Sequence, residues 1–229
     1  MKRVIISDLH IGSAYCKEEE LLQFLNGVEC DELILAGDIV DFVKVPIFSE
    51  HSLDILHRIA SFHSVVYIIG NHDFSFDEFA GKELNQIRFM EEYTFTDSGR
   101  TFRVEHGDRY DKGFLSRFAE GILLKLVSVC QDWLERRFSV DLATWWSNKA
   151  LAKRKLIRLW DIIDFNNDVD VSIMGHSHRP ETVIWVNHNE EIKTYVNTGD
   201  WVEHMTYVTV VDGIVRLKNF KKELDKDHI

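Results

Sequence analysis

Residues 3–10 read Arg3-Val4-Ile5-Ile6-Ser7-Asp8-Leu9-His10. A short apolar run, rich in β-branched residues, breaks off into an aspartate and a histidine two positions apart. The run Arg3–Ile6 predicts a strand. In an extended chain residues i and i+2 point the same way, so Asp8 and His10 are expected to face one centre. The same event recurs further on. Glu32–Ala36, a second predicted strand, runs into Gly37-Asp38-Ile39-Val40-Asp41, and Val65–Ile69, a third, runs into Gly70-Asn71-His72-Asp73. Helical patterns separate them. Lys17–Asn26 sets Leu21, Leu22 and Leu25 on one side, and Ser52–Phe62 turns Leu53, Ile55, Leu56 and Ile59 inward. This βαβαβ order predicts a parallel or mixed sheet covered by helices.

After Glu91 the texture changes. Tyr93–Thr96 and Thr101–Glu105 flank Asp97-Ser98-Gly99-Arg100, a hairpin signal, and are followed by His106-Gly107-Asp108. Lys112–Phe165 reads as helical. Strand patterns return at Val171–Met174, Thr182–Val186, Ile192–Val196, Tyr207–Val211 and Val215–Phe220, with turns at Asn187–Asn189 and Asp212-Gly213. The first of these ends in Gly175-His176-Ser177-His178, again two side chains of one kind at alternate positions. Two sheets packed face to face, with helices outside, accommodate the whole pattern.

Each apolar run thus delivers oxygen or imidazole donors as it leaves the sheet, where open α/β sheets hold their ligands. Glycines at 37, 70, 107 and 175 are read as letting the backbone turn beside the site. A single Asp-x-His at a strand end is more often a turn or cap. Five such exits in one chain point to a metal site. Carboxylate, amide and imidazole together suit a borderline divalent ion such as Mn, Fe or Zn. The donors outnumber the needs of one ion, whereas two ions sharing a bridging carboxylate would use them. The remaining histidines, 51, 57, 63, 188, 204 and 228, read as surface or helix residues.

Composition narrows the function. The 229 residues carry a net charge of −11, which gives no basis for a nucleic-acid partner. Three widely spaced cysteines form no CxxC and predict a reducing compartment without a disulfide framework. The apolar run Val4–Ile6 is too short for a signal peptide, and no stretch reaches the roughly 18 apolar residues of a membrane span. The expectation is a cytoplasmic protein.

The order DxH, GDxxD, GNHD, H, GHxH resembles the calcineurin-like metallophosphoesterases, over nearly the whole chain. That resemblance implies a four-layer α/β/β/α sandwich with a helical insertion, and a dinuclear centre. It implies one ion held by Asp8, His10, Asp38 and His178, and the other by Asp38, Asn71, His106 and His176, with Asp38 bridging. It further implies hydrolysis of a phosphodiester or pyrophosphate by a metal-bridging hydroxide, with Mn as the first expectation and Fe or Zn as alternatives. His72 would stabilise the transition state or protonate the leaving group, oriented by Asp41; otherwise Asp41 caps the following segment.

Within the superfamily, Ser7–His10, Gly175–Pro180, Asn197-Thr198-Gly199-Asp200-Trp201 and the chain length resemble the UDP-2,3-diacylglucosamine pyrophosphohydrolases of lipid A synthesis. Those enzymes carry a helical lid where this chain has residues 112–165, here with ten Lys or Arg against six Asp or Glu and many apolar positions. Such an insert suits an anionic lipid or a membrane interface, which adds peripheral contact with the inner membrane to the expectation; equally, its faces pack on each other. Those enzymes typically show GNRD where this chain has GNHD, so other phosphoesters stay open. Arg179 is expected to meet a substrate phosphate or to pair with a carboxylate such as Asp200. The alternatives are a small soluble substrate, such as a cyclic nucleotide, nucleotide pyrophosphate or phosphomonoester, and a non-catalytic scaffold of the same fold.

Overall fold

A computed structural model describes residues 1–43, 45–110 and 166–224. The chain divides into two compact units, Met1–Asp108 with Phe165–Ile229, and Arg109–Asp164. The first carries the sandwich. The helical insertion expected over 112–165 lies outside the described residues.

The first sheet contains β1 (Lys2–Ile6), β2 (Glu32–Ala36), β3 (Val65–Ile68), β4 (Glu83–Leu84), β5 (Ile87–Met90), β11 (Thr206–Val211) and β12 (Ile214–Asn219), in the order β12-β11-β1-β2-β3-β5-β4. β1, β2, β3 and β5 run parallel, and β11 lies antiparallel beside β1. The second sheet contains β6 (Glu92–Asp97), β7 (Arg100–Glu105), β8 (Val171–Met174), β9 (Glu181–Val186) and β10 (Ile192–Asn197), in the order β6-β7-β8-β10-β9. Here β8 is parallel to both of its neighbours. Parallel strands covered on both faces need apolar residues at every position. β1, β2, β3 and β8 meet that demand with Val, Ile and Leu buried almost throughout.

Alternation divides the core in two. Ile5, Ile34, Ala36, Val66 and Ile68 face the second sheet and meet Phe102, Val104, Val171, Ile173 and Val196. Val4, Ile6, Leu33, Leu35, Val65 and Tyr67 face the helices α1 (Glu18–Gly27) and α2 (Glu50–Ala60). α1 opens with Glu18, Glu19 and Glu20, favourable at a helix N-terminus, and buries Leu21, Phe24 and Leu25. α2 is capped by Ser49, whose side chain accepts from the Ser52 N–H. Its buried stripe is Ser52, Ile55 and Ile59, and this leaves Leu53 off the stripe and 58% exposed, against the inward placement its periodicity suggested.

Two further departures concern strand ends. The segment after Asp73, unassigned from sequence, forms a 3-10 helix, Phe74–Phe79, and then the short pair β4–β5 that widens the first sheet. The last strand stops at Asn219 rather than Phe220. Phe220 begins α3 (Phe220–Leu224), and its ring packs on Phe24 and Trp201. One charged side chain clasps the two sheets. Arg3 of β1 reaches Glu32 of β2 (2.9 Å) and Asp97 of β6 (3.0 Å), with its guanidinium over the Phe95 ring.

Candidate metal centre

The carboxyl ends of β1, β2 and β3 in one sheet, and of β7 and β8 in the other, converge on one group of polar side chains. Three sets of donors gather there, the atoms of each set within 4.8 Å of one another: Asp8, His10 and His178; His10, Asp38 and His72; and Asp38, His106 and His176. Six of the seven residues expected as metal ligands are therefore gathered. The seventh, Asn71, places Oδ1 3.1 Å from His106 Nε2. His176 and His178 go to different sets, not to one centre.

The backbone achieves this in an unexpected way. Asp8, His10, Asp38, His176 and His178 all have positive φ, between 50° and 64°. Non-glycine residues rarely adopt this left-handed conformation, and such strain collects at functional sites. The extended chain that would turn Asp8 and His10 the same way ends at Ile6, and the strand before His176 and His178 ends at Met174. The side chains converge because the Asp8–His10 and His176–His178 segments coil after their strands. Neighbouring glycines also serve differently than expected. Gly70 and Gly175 lack positive φ; they are needed for space. A Cβ on Gly70 would meet Asp38 Oδ1 at 2.4 Å, and one on Gly175 would meet Ser7 Oγ at 2.3 Å and Asp8 Oδ2 at 2.4 Å.

The electrostatics ask for a cation. Asp8, Asp38 and His106 are buried. Among the described residues Asp8 Oδ1 has no hydrogen-bond partner; His178 Nε2 stands 3.1 Å away. His10 Nε2 and His178 Nε2 lie 3.3 Å apart, two ring nitrogens turned toward each other. Burial brings the His10 imidazole down to about 4 against the pull of Asp38, which leaves it neutral with a lone pair to offer. His106 Nδ1 donates to Ala36 O (3.0 Å), so its Nε2 faces Asp38 Oδ2 (3.3 Å). Burial opposes a charge on His106, but Asp38 outweighs it and holds the imidazole well above its usual pKa. Burial would also raise Asp38, yet His106 and His72 hold it well below the carboxylate range. Buried oxygens that demand positive charge, beside imidazole nitrogens and an amide oxygen, form a donor set that fits a borderline divalent ion.

His72 sits at the rim, partly exposed. Its backbone N–H donates to Asp38 Oδ1 (2.8 Å), its Nδ1 lies 3.1 Å from Asp41 Oδ1, and its Nε2 lies 3.8 Å from Asp38 Oδ2. Asp41 Oδ1 also accepts the Val43 N–H, so the carboxylate orients the imidazole and closes a turn at once. Burial disfavours the charged form of His72, but Asp38 and Asp41 raise its pKa above the ordinary value. Arg179 is exposed and, among the described residues, makes no ion pair; Asp200 is engaged by His204 and His178 instead.

The sequence assigns Asp73 no role. It is buried and accepts the backbone N–H groups of Ile39 (3.1 Å), Val40 (2.9 Å) and Gly70 (3.1 Å) and the Tyr67 hydroxyl (2.8 Å). It ties the turn bearing Asp38 to the turn bearing Asn71. The signal available was a carboxylate directly after two site residues and before an aromatic run. Asn197 does the same on the other side, donating to Gly175 O (2.6 Å) and accepting from the Gly199 N–H (2.9 Å).

A family model described as calcineurin-like phosphoesterase matches residues 1–180. The chain belongs to that family. Its two-sheet sandwich is the family's architecture, and the family binds divalent metals, in keeping with the donor groups above. Similar solved structures include Vps29 of Chaetomium thermophilum (13% identity, 96% of this chain and 95% of that one, TM-score 0.50). They also include a novel archaeal phosphodiesterase (14%, 96% and 99%, TM-score 0.45) and Entamoeba histolytica Vps29 complexed with Zn (15%, 96% and 99%, TM-score 0.42). At these identities the likeness concerns the fold. No curated protein matches the chain in sequence. Among the described residues no helix is long and apolar enough to cross a membrane.

Proposed function

We propose that this family member is a dinuclear-metal-dependent phosphoesterase that hydrolyses a phosphodiester or pyrophosphate. The supporting observation is the place of Asp38. It is buried between the Asp8–His10–His178 set and the His106–His176 set, with one carboxylate oxygen 3.3 Å from His106 and 3.8 Å from His72. In this reading Asp8, His10, Asp38 and His178 hold one ion, and Asp38, Asn71, His106 and His176 the other. When bound, such a pair supplies Lewis acidity toward phosphoryl oxygens and an activated water, and Mn is the ion we propose. The chain's own residues do the rest. Ala36 O fixes the tautomer of His106. Asp41 holds His72 by Nδ1, leaving Nε2 to deliver a proton to the departing oxygen.

The substrate proposed first is a lipid-linked nucleotide such as UDP-2,3-diacylglucosamine. Its support is the sequence resemblance and an apolar rim. The loop that leaves Asp41 returns to Gly12, whose carbonyl accepts the Ile47 N–H, and it exposes Val45 (88%) and Ile47 (82%) to solvent. Arg179 would meet a phosphate, and the insert the membrane surface. The test is a substrate panel with Mn: bis(p-nitrophenyl) phosphate, a phosphomonoester and UDP-2,3-diacylglucosamine, each with wild type and His72→Ala. Preferred turnover of the lipid-linked nucleotide supports the full reading. Turnover of soluble esters alone keeps the reaction class and removes the lipid. No turnover of any ester rejects both.

A further inference from the structure

The segment Asn197–Trp201 supplies none of the proposed ligands, yet it is packed directly behind them. Thr198 N and Oγ1 donate to Met174 O (2.8 and 3.1 Å), and the Trp201 N–H donates to Asp8 O (3.1 Å). Buried Asp200 stands in the middle of this segment, and its two oxygens have different partners. Oδ1 accepts the backbone N–H groups of Val202 (2.9 Å), Glu203 (2.5 Å) and His204 (3.2 Å), closing the turn that follows. Oδ2 faces two imidazoles, His204 Nδ1 at 2.5 Å and His178 Nδ1 at 3.9 Å. His178 turns its other nitrogen, Nε2, toward Asp8 Oδ1 and His10 Nε2.

We infer that Asp200 is a positioning residue for the His178 side of the metal centre, and that His204 clamps it from outside. Asp200 Oδ2 stands 3.9 Å from His178 Nδ1, beyond a hydrogen bond, and acts there as a fixed negative charge that favours an N–H on Nδ1 and leaves Nε2 to the ion; this rests on the dinuclear reading above. A ligating imidazole has two distinct nitrogens, and a carboxylate beside one selects which of them meets the metal and fixes the ring plane. The residue type carries the argument. An asparagine would cap the same turn through its amide oxygen. It would then present an NH₂ group to both imidazoles, where only an acceptor suits a pair of ring N–H donors.

The test is Mn titration of the chelator-treated full-length protein in competition with a metal indicator. Wild type is expected to bind two equivalents. Asp200→Asn, which keeps the cap, is expected to weaken one of them about 10- to 100-fold and to leave the other near wild type. His204→Ala should weaken the same equivalent by less, and His204→Gln, which restores an N–H donor to Asp200, should recover part of the loss. Two wild-type affinities in both Asp200→Asn and His204→Ala overturn the inference. So does equal weakening of both equivalents together with a collapsed circular dichroism spectrum in Asp200→Asn, which makes the Asp200 charge a requirement of the fold and not of one ion. A wild type that binds no Mn overturns the dinuclear reading itself, and the positioning role with it.

Discussion

His72 and His10 show how little separates a proton donor from a ligand in this site. Both rings offer a nitrogen within 4.8 Å of an Asp38 oxygen, and their centroids are 4.7 Å apart. What differs is the attachment. His72 stands at the rim with Nδ1 on Asp41, whereas His10 is buried and neutral. His72→Ala is therefore expected to lower kcat on bis(p-nitrophenyl) phosphate by roughly 10²–10⁴-fold while two Mn ions stay bound. Loss of one ion in that variant, measured by atomic emission, would make His72 a ligand. Residue identities were legible because each donor follows an apolar run. Their left-handed backbone was not, since Asp and His carry no local mark of positive φ when no glycine stands in their place. The cysteines give a second check. Burial, then Glu18 and Glu20, push the Cys16 thiol up to about 12, and burial takes Cys30 to about 11. A raised pKa means less thiolate, so at pH 8 both should react with iodoacetamide far more slowly in the native protein than in urea, read site by site by mass spectrometry.

At the scale of elements, the strands were the most legible part, because β1, β2, β3 and β8 are apolar at nearly every position. β4 and β5 were not, since Glu83–Leu84 is short and exposed and Arg88 interrupts Ile87–Met90. The turns that present the donors depend on buried acceptors distant in sequence. Asp73 is the clearest case: four donors from three segments end on one carboxylate, which burial and Asp38 raise to about 6. Asp73→Ala leaves those donors buried without an acceptor and is expected to cost about 3 kcal/mol in urea unfolding. It should also reduce Mn binding, although Asp73 is not among the proposed ligands. Unchanged stability would show that the two turns hold themselves.

For the whole molecule, sheet membership was legible in outline and sheet order was not. Nothing local places β11 antiparallel against β1, or β8 between β7 and β10; those neighbours are chosen by long-range pairing. The same distance effect hid Arg3, which reads as a flank of the first strand and proves to join the sheets. Arg3→Ala is expected to destabilise the protein by about 2 kcal/mol, seen as a lower urea midpoint, because it strips one of two cationic partners from buried Glu32, which keeps Arg88. The fold brings five strand exits to one place, and the proposed activity depends on what they hold there. The direct test is to remove metal with a chelator, return Mn stepwise, and follow bound ion and hydrolysis of bis(p-nitrophenyl) phosphate in the same samples. The stripped protein is expected to show no turnover, with recovery that completes only as the second equivalent binds. Full turnover after stripping, or a protein that binds Mn at neither set, would contradict the dinuclear reading.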